Sequence, residues 1–190
     1  MSFITDQFQA SAASILDNQH LANQIEQAAK VIFDCFESGG KLMICGNGGS
    51  AGDAQHLSAE LLNRYDRDRR ELPGIALTTD GSTITAIGND YDYSEVFAKQ
   101  VSALGRPEDL LMLISTSGNS ENLLKAAKIA HTKSLRCIAL NGKGGGKLAE
   151  ELDSNDINIV VKGDTTARIQ EVHGLIIHCF CELIDSYILD

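Results

Sequence analysis

Apolar residues recur at helical spacing from the start of the chain. They fall at Ile4, Phe8, Ala12, Ile15 and Leu16, then at Leu21, Ile25, Ala28, Ala29, Ile32, Phe33 and Phe36. The spacing predicts helix over 3–38. Asp17-Asn18 divides it in two, and Gly39-Gly40 ends the second part. Beyond Gly40 the pattern changes to short apolar runs at 42–45, 75–78, 110–114, 137–140 and 157–161. Helical patterns separate them at 51–65, 93–104, 120–131 and 166–188, with shorter ones near 82–88 and 146–152. Continuous apolar strands alternating with helices predict an α/β fold, a five-stranded parallel sheet covered on both faces. The two prolines, Pro73 and Pro107, each precede a strand, and no linker is visible. The expected organisation is one three-layer domain over 1–190, with 1–38 as a helical arm and 39–190 as the α/β core. An arm with so many apolar positions is expected to pack on another subunit as well as on its own core.

Composition narrows the function. The chain is 43% apolar and 22% charged, ordinary for a soluble globular domain. Sixteen Lys plus Arg against 26 Asp plus Glu give a net charge of −10. That excludes a general nucleic-acid surface and attraction to an anionic membrane. An anionic ligand must be held by local donors, because the overall field repels it. No uninterrupted apolar run approaches the length of about 18 residues that a membrane span needs. The first basic residue is Lys30, so a targeting segment is not expected. The five cysteines (Cys35, Cys45, Cys137, Cys179, Cys181) are odd in number and irregularly spaced. They read as small buried thiols in a reducing cytoplasm.

In a parallel sheet, ligands sit beyond the carboxyl ends of the strands. Three segments rich in small polar residues follow strand ends: 46–50, 115–120 and 141–146. A fourth, Gly88-Asn89-Asp90, ends a short helix. The segment 115–120 offers hydroxyls at Ser115, Thr116, Ser117 and Ser120, a glycine at 118, and a helix whose first amides are free. Hydroxyls, unpaired amides and the positive end of a helix dipole make a phosphate cradle that needs no lysine.

The Gly-rich segment 46–51 fits the dinucleotide pattern G-x-G-x-x-A, but the acidic residue expected about 20 positions on should end a strand. Here that zone holds Asp66 and Asp68 in a charged loop, which disfavours a nicotinamide cofactor. Positions 48–52 fit G-x-S-x-G, yet Ser50 stands too far past its strand for a nucleophile elbow.

His56 and Glu60 stand i and i+4 on the predicted helix after the Gly loop, so both can reach one ion or substrate. Gln170 and His178 are on the last helix, about 12 Å apart in rise, with Gly174 between them. They could serve one site from different chains. His173 lies off that face and reads as packing or surface. His20 and His131 read as solvated. The arginine-rich stretch 64–71 reads as a solvated helix end, with Arg64 nearest to Glu60.

Taken together, the segments 45–65, 86–97, 114–126 and 166–178 resemble the sugar isomerase (SIS) domain family, and within it the phosphoheptose isomerase group. The similarity runs essentially end to end. It implies a flavodoxin-like sandwich and a homotetramer with active sites at subunit interfaces. It implies substrate contacts at Asn47, Gly48, Gly49, Glu60, Asn89, Asp90, Ser115, Thr116, Ser117, Ser120 and Gln170. It implies one Zn²⁺ per subunit on His56, Glu60, Gln170 and His178, with Glu60 and His178 as the catalytic pair. The implied reaction converts sedoheptulose 7-phosphate to D-glycero-D-manno-heptose 7-phosphate through an enediol or enediolate. That is the first step toward ADP-heptose and the lipopolysaccharide core. The chain also resembles a non-enzymatic paralogue group, the DnaA initiator-associating proteins, at 62–65, 72–80 and 95–105. That group is not expected to keep the glutamate at 60 or the histidine at 178, and both are present here.

Overall fold

A computed structural model describes residues 2–190. The arm folds as α1 (Phe3–Asp17) and α2 (Ala22–Glu37), joined by a 3-10 turn at Gln19–Leu21. Asn18 makes the break. Its buried amide nitrogen donates to the Ser14 and Lys162 carbonyls at 2.8 and 2.9 Å. Its oxygen accepts from the Lys162 amide at 2.8 Å. A side chain bonded to distant backbone competes with the helix ladder, and the chain turns there.

The core follows as β1 (Leu42–Gly46), α3 (Gly49–Leu62), β2 (Gly74–Ala76), α4 (Gly81–Asp90), α5 (Ala98–Leu104) and β3 (Leu110–Ser115). Then come α6 (Glu121–Thr132), β4 (Arg136–Gly142), α7 (Gly146–Glu151), β5 (Ile157–Val161) and α8 (Thr166–Leu189). The five strands are all parallel, in the order β2-β1-β3-β4-β5. Two elements are shorter than the sequence pattern suggests. β2 covers only Gly74–Ala76. The helix expected over 93–104 divides into a 3-10 turn, Tyr93–Glu95, and α5, because the Asp92 carboxylate caps the turn by accepting from the Ser94 amide at 2.8 Å.

Strand residues alternate between two buried layers. Leu42, Ile44, Met112, Ile138, Leu140 and Ile159 pack with Ile32 of α2, Leu57 of α3 and Ile176 and Phe180 of α8. Met43, Cys45, Leu111, Leu113, Cys137 and Ala139 pack with Val101 of α5, Leu123 and Ala127 of α6 and Leu148 of α7. Burial on both faces is why the strands read as unbroken apolar runs.

With a mean hydropathy of 1.4 over its best window, α8 is long and apolar enough to cross a membrane. Here it is a core helix, and it carries two buried polar residues, His173 and Asp185. The Asp185 carboxylate accepts from Arg69 Nε at 2.8 Å, with side chains only 4% and 1% exposed.

His173 is fully buried, with Nε2 3.1 Å from the Asn141 carbonyl oxygen. Burial pushes its pKa down to about 4, from 6.5 for a free imidazole. Between those values the unfolded chain binds the proton and the folded chain does not. Stability from this group is therefore complete above about pH 6.5 and is lost as the pH falls toward 4. Urea denaturation at pH 7 and pH 4.5 should show wild type losing about 2 kcal/mol more than His173→Gln, which cannot titrate.

Candidate active site

The strand order reverses between β1 and β3, which opens a crevice at their carboxyl ends. The loop after β1 carries Asn47, Gly48 and Gly49. The loop after β3 carries Ser115, Thr116, Ser117 and Ser120. Asn47 and Asn122 bridge the crevice by a reciprocal pair of amide hydrogen bonds, each 2.9 Å. The Tyr93 hydroxyl donates to Asn47 Oδ1 at 3.1 Å. Asn122 escaped sequence reasoning. Its one signal is a polar side chain on a helix face of leucines and alanines, which needs a partner when buried.

Two hydroxyls of the 115–120 loop are spent on its own shape. Ser115 Oγ accepts from the Gly118 amide at 2.9 Å, and Ser117 Oγ from the Asn119 amide at 3.3 Å. Ser120 stands at the N-cap of α6 and makes no side-chain cap bond. Its hydroxyl is therefore not spent on the helix start, and Thr116 on the same loop is half-buried.

The third Gly-rich segment braces this loop. The Leu148 amide donates to the Gly118 carbonyl at 2.8 Å, and the Lys147 amide to Asn119 Oδ1 at 3.1 Å. Gly118 has φ +65°, and a Cβ there would fall 1.8 Å from the Gly145 carbonyl oxygen. Only glycine fits that approach.

Asn89 and Asp90 are exposed at the end of α4, bonded to each other at 2.8 Å. Ser50 is 6% exposed within the first turn of α3, and the nucleophile elbow finds no support there.

The second part of the site lies between α3 and α8 of the same chain. His56 Nε2 is 3.2 Å from Glu60 Oε1. The His56 and His178 rings meet edge to face with centroids 5.0 Å apart, and Tyr65 lies 5.9 Å from His178. Gln170 lies against the start of α3, where a Cβ on Gly49 would fall 2.3 Å from its amide nitrogen. Asp53 stands between Gly49 and His56 on α3. Burial raises its carboxyl pKa, while a hydrogen bond with Gln170 and the proximity of His56 oppose the rise. Asp53 Oδ2 is buried without a hydrogen-bond partner. Asp53 was also missed in the sequence, although it shares its helix face with Gly49 and His56.

Two expectations need correction, at Arg69 and His131. Arg64 is solvated as expected and pairs with Asp68 at 2.9 Å. Arg69 takes the inner position and donates to the Glu60 and Leu61 carbonyls at 2.7 and 3.0 Å. His131 is not free in solvent, for its Nε2 is 2.8 Å from Asp156 Oδ2. His20 is exposed as expected. Among the described residues, the His/Cys/Asp/Glu trio with ligand atoms all within 4.8 Å of one another is His131, Cys137 and Asp156, away from the crevice. All five cysteines are free, and Cys179 is half-buried while the rest are buried.

A 2-1-3-4-5 parallel sheet with a hydroxyl-rich loop at its switch point and an imidazole–carboxylate cluster beside it defines the class: an α/β sandwich of the SIS type. The SIS domain profile matches residues 7–142, and the chain belongs to that family. Within it, the chain belongs with the phosphoheptose isomerases and is a sugar phosphate isomerase. It is 54% identical over 187 residues to the phosphoheptose isomerase of Thiobacillus denitrificans, covering 98% of this chain and 95% of that one. The solved phosphoheptose isomerase GmhA of Neisseria gonorrhoeae superposes with a TM-score of 0.92 at 46% identity, covering 96% of this chain and 97% of the other. A phosphoheptose isomerase from Francisella tularensis gives a TM-score of 0.93 at 46% identity, covering 96% of each chain.

Proposed function

We propose that the protein interconverts sedoheptulose 7-phosphate and D-glycero-D-manno-heptose 7-phosphate, the step that supplies ADP-heptose synthesis for lipopolysaccharide. The observation that carries this reading is the convergence of Glu60 and His178 on His56, at 3.2 Å and 5.0 Å. The 115–120 loop, with Asn47, Gly48 and Gly49, grips the phosphate and hydroxyls of the sugar. Asn89 and Asp90 take part through the same substrate. Remote binding energy then orients C1 and C2 at the reacting end. Glu60 takes the proton from C1 and returns it to C2. His178 moves the proton between the two oxygens. Positioned acid–base groups of this kind contribute about 10²–10⁴-fold each.

The donor set also suits zinc. Two imidazoles, a carboxylate and an amide oxygen from His56, Glu60, His178 and Gln170 are ligand types it accepts. The orphaned Asp53 oxygen beside Gln170 and His56 favours a positively charged guest. Bound there, the ion would polarise the sugar carbonyl and offset charge that develops on oxygen. A glutamate that holds a cation is a weaker base, so turnover before and after verified chelation separates the two roles of Glu60.

The complete site takes more than one chain. Gly49 and Glu60 are about 16 Å apart along α3, and a neighbouring chain covering that span would close the site over the sugar. The arm supplies the contact surface: Phe3, Ile4, Phe8 and Leu16 of α1 are at least 60% exposed. Beside them an apolar groove of about 520 Å³ runs between α2 and α8, lined by Ile15, Ile25, Leu175 and Cys179 among others. We read the assembly as a homotetramer of single-domain chains, each 1–190, in the cytoplasm, where the free thiols stay reduced. Sedimentation velocity should give four times 20.4 kDa, and a stable monomer would remove the shared site.

The test of function is incubation with sedoheptulose 7-phosphate in D₂O, followed by NMR. Aldose phosphate carrying solvent deuterium at C2 is the expected product. No conversion, together with tight binding to DnaA, would transfer the chain to the non-enzymatic group.

A further inference from the structure

His131, Cys137 and Asp156 lie at the opposite end of the sheet from the crevice, where β4 and β5 begin. The isomerase reading uses none of them. The Asp156 carboxylate is 1% exposed and already fixed in place. Its Oδ1 accepts from the Cys137 amide at 2.7 Å, and its Oδ2 accepts from the Asp153 amide at 2.9 Å. Oδ2 also stands 2.8 Å from His131 Nε2. The Cys137 thiol is wholly buried, whereas the His131 side chain is 21% exposed. A cavity of about 290 Å³ opens onto His131 and Asp156, lined also by Ser134, Arg136 and Asn155; Cys137 is not part of its lining.

We propose that His131, Cys137 and Asp156 form a second cation site, for one thiophilic divalent ion of the zinc class. Their ligand atoms already lie within 4.8 Å of one another. Nitrogen, sulfur and oxygen donors in one set select a borderline-soft ion over magnesium or calcium. The cavity supplies room for water as a fourth ligand. On binding, the Cys137 S–H bond gives way to a sulfur–metal bond, and the proton passes to the buffer. The neutral His131 ring coordinates through Nε2 and carries its proton on Nδ1. Asp156 keeps its two amide donors and uses its remaining lone pairs. The ion ties the end of α6 to β4 and β5, and Ser120 is the N-cap of α6. This site is independent of the heptose reading.

The test is cadmium titration of the full-length protein after chelator treatment, read by the thiolate-to-cadmium charge-transfer band in the ultraviolet. Wild type should give a band whose amplitude corresponds to one thiolate-bound cadmium per chain and which saturates within two added equivalents, because the Glu60–His178 cluster can take one ion without a band. Cys137→Ser should lose it, and His131→Gln should weaken the affinity at least about tenfold. The Glu60–His178 cluster contains no thiol, and any band from the nearby Cys179 or Cys181 would persist in Cys137→Ser. Far-UV circular dichroism checks the fold of both variants. If Cys137→Ser does not fold, His131→Gln decides alone, since its side chain reaches the surface. No band by two equivalents, or a band of equal affinity in His131→Gln, overturns the proposal.

Discussion

Glu60→Gln should leave the fold intact and lower turnover by at least about 10²-fold. The change keeps shape and hydrogen-bonding capacity but removes the group that accepts a carbon-bound proton. His178→Ala should fall by a similar factor, because proton movement between the sugar oxygens then relies on water. Both residues border His56, so their effects should be less than additive in the double variant. Steady-state kinetics with sedoheptulose 7-phosphate, beside thermal unfolding of each variant, separates chemistry from stability. Near-full activity in either single variant would remove that residue from its role.

The largest expected effect on stability is at Arg69. Its guanidinium is almost wholly buried, pairs with Asp185, and donates to the carbonyls of Glu60 and Leu61. Arg69→Met would leave the Asp185 charge unpaired inside the protein, where Oδ2 already has no hydrogen-bond partner. Breaking such a pair from one side costs about 3–5 kcal/mol. Replacing both partners, as in Arg69→Met with Asp185→Leu, should recover much of that loss, because no charge then stays buried alone. Urea denaturation of the single and double variants measures the difference. Arg69→Met should also reduce turnover, since the last turn of α3 that carries Glu60 is held by this side chain.

These two residues show what a sequence reading can reach. Glu60 was legible because its partner His56 is one helical turn away. The strands were legible because burial on both faces leaves unbroken apolar runs at 42–45, 110–114 and 137–140. Arg69 was not legible, since four arginines crowd 64–70 and only tertiary packing selects the one that meets Asp185. Arg64, nearer to Glu60 in sequence, faces solvent because α3 ends at Leu62 and the chain turns away. Asn122 and Asn47 are 75 residues apart, and their bond exists only because β1 and β3 are neighbours in the sheet. The Gly118–Gly145 approach has the same origin, as two loops from adjacent strands meet. The roles of Gln170 and His178 came through family resemblance, because a separation of about 12 Å along one helix gives no reason to pair them.

A crystal structure of Glu60→Gln with sedoheptulose 7-phosphate tests the central claim most directly. The account predicts the phosphate within hydrogen-bond distance of Thr116, Ser120 and the first amides of α6. It places C1 and C2 beside position 60 and His178, from whichever subunits complete the site. A sugar bound the other way round, or with its reacting carbons far from both side chains in every subunit, would contradict it.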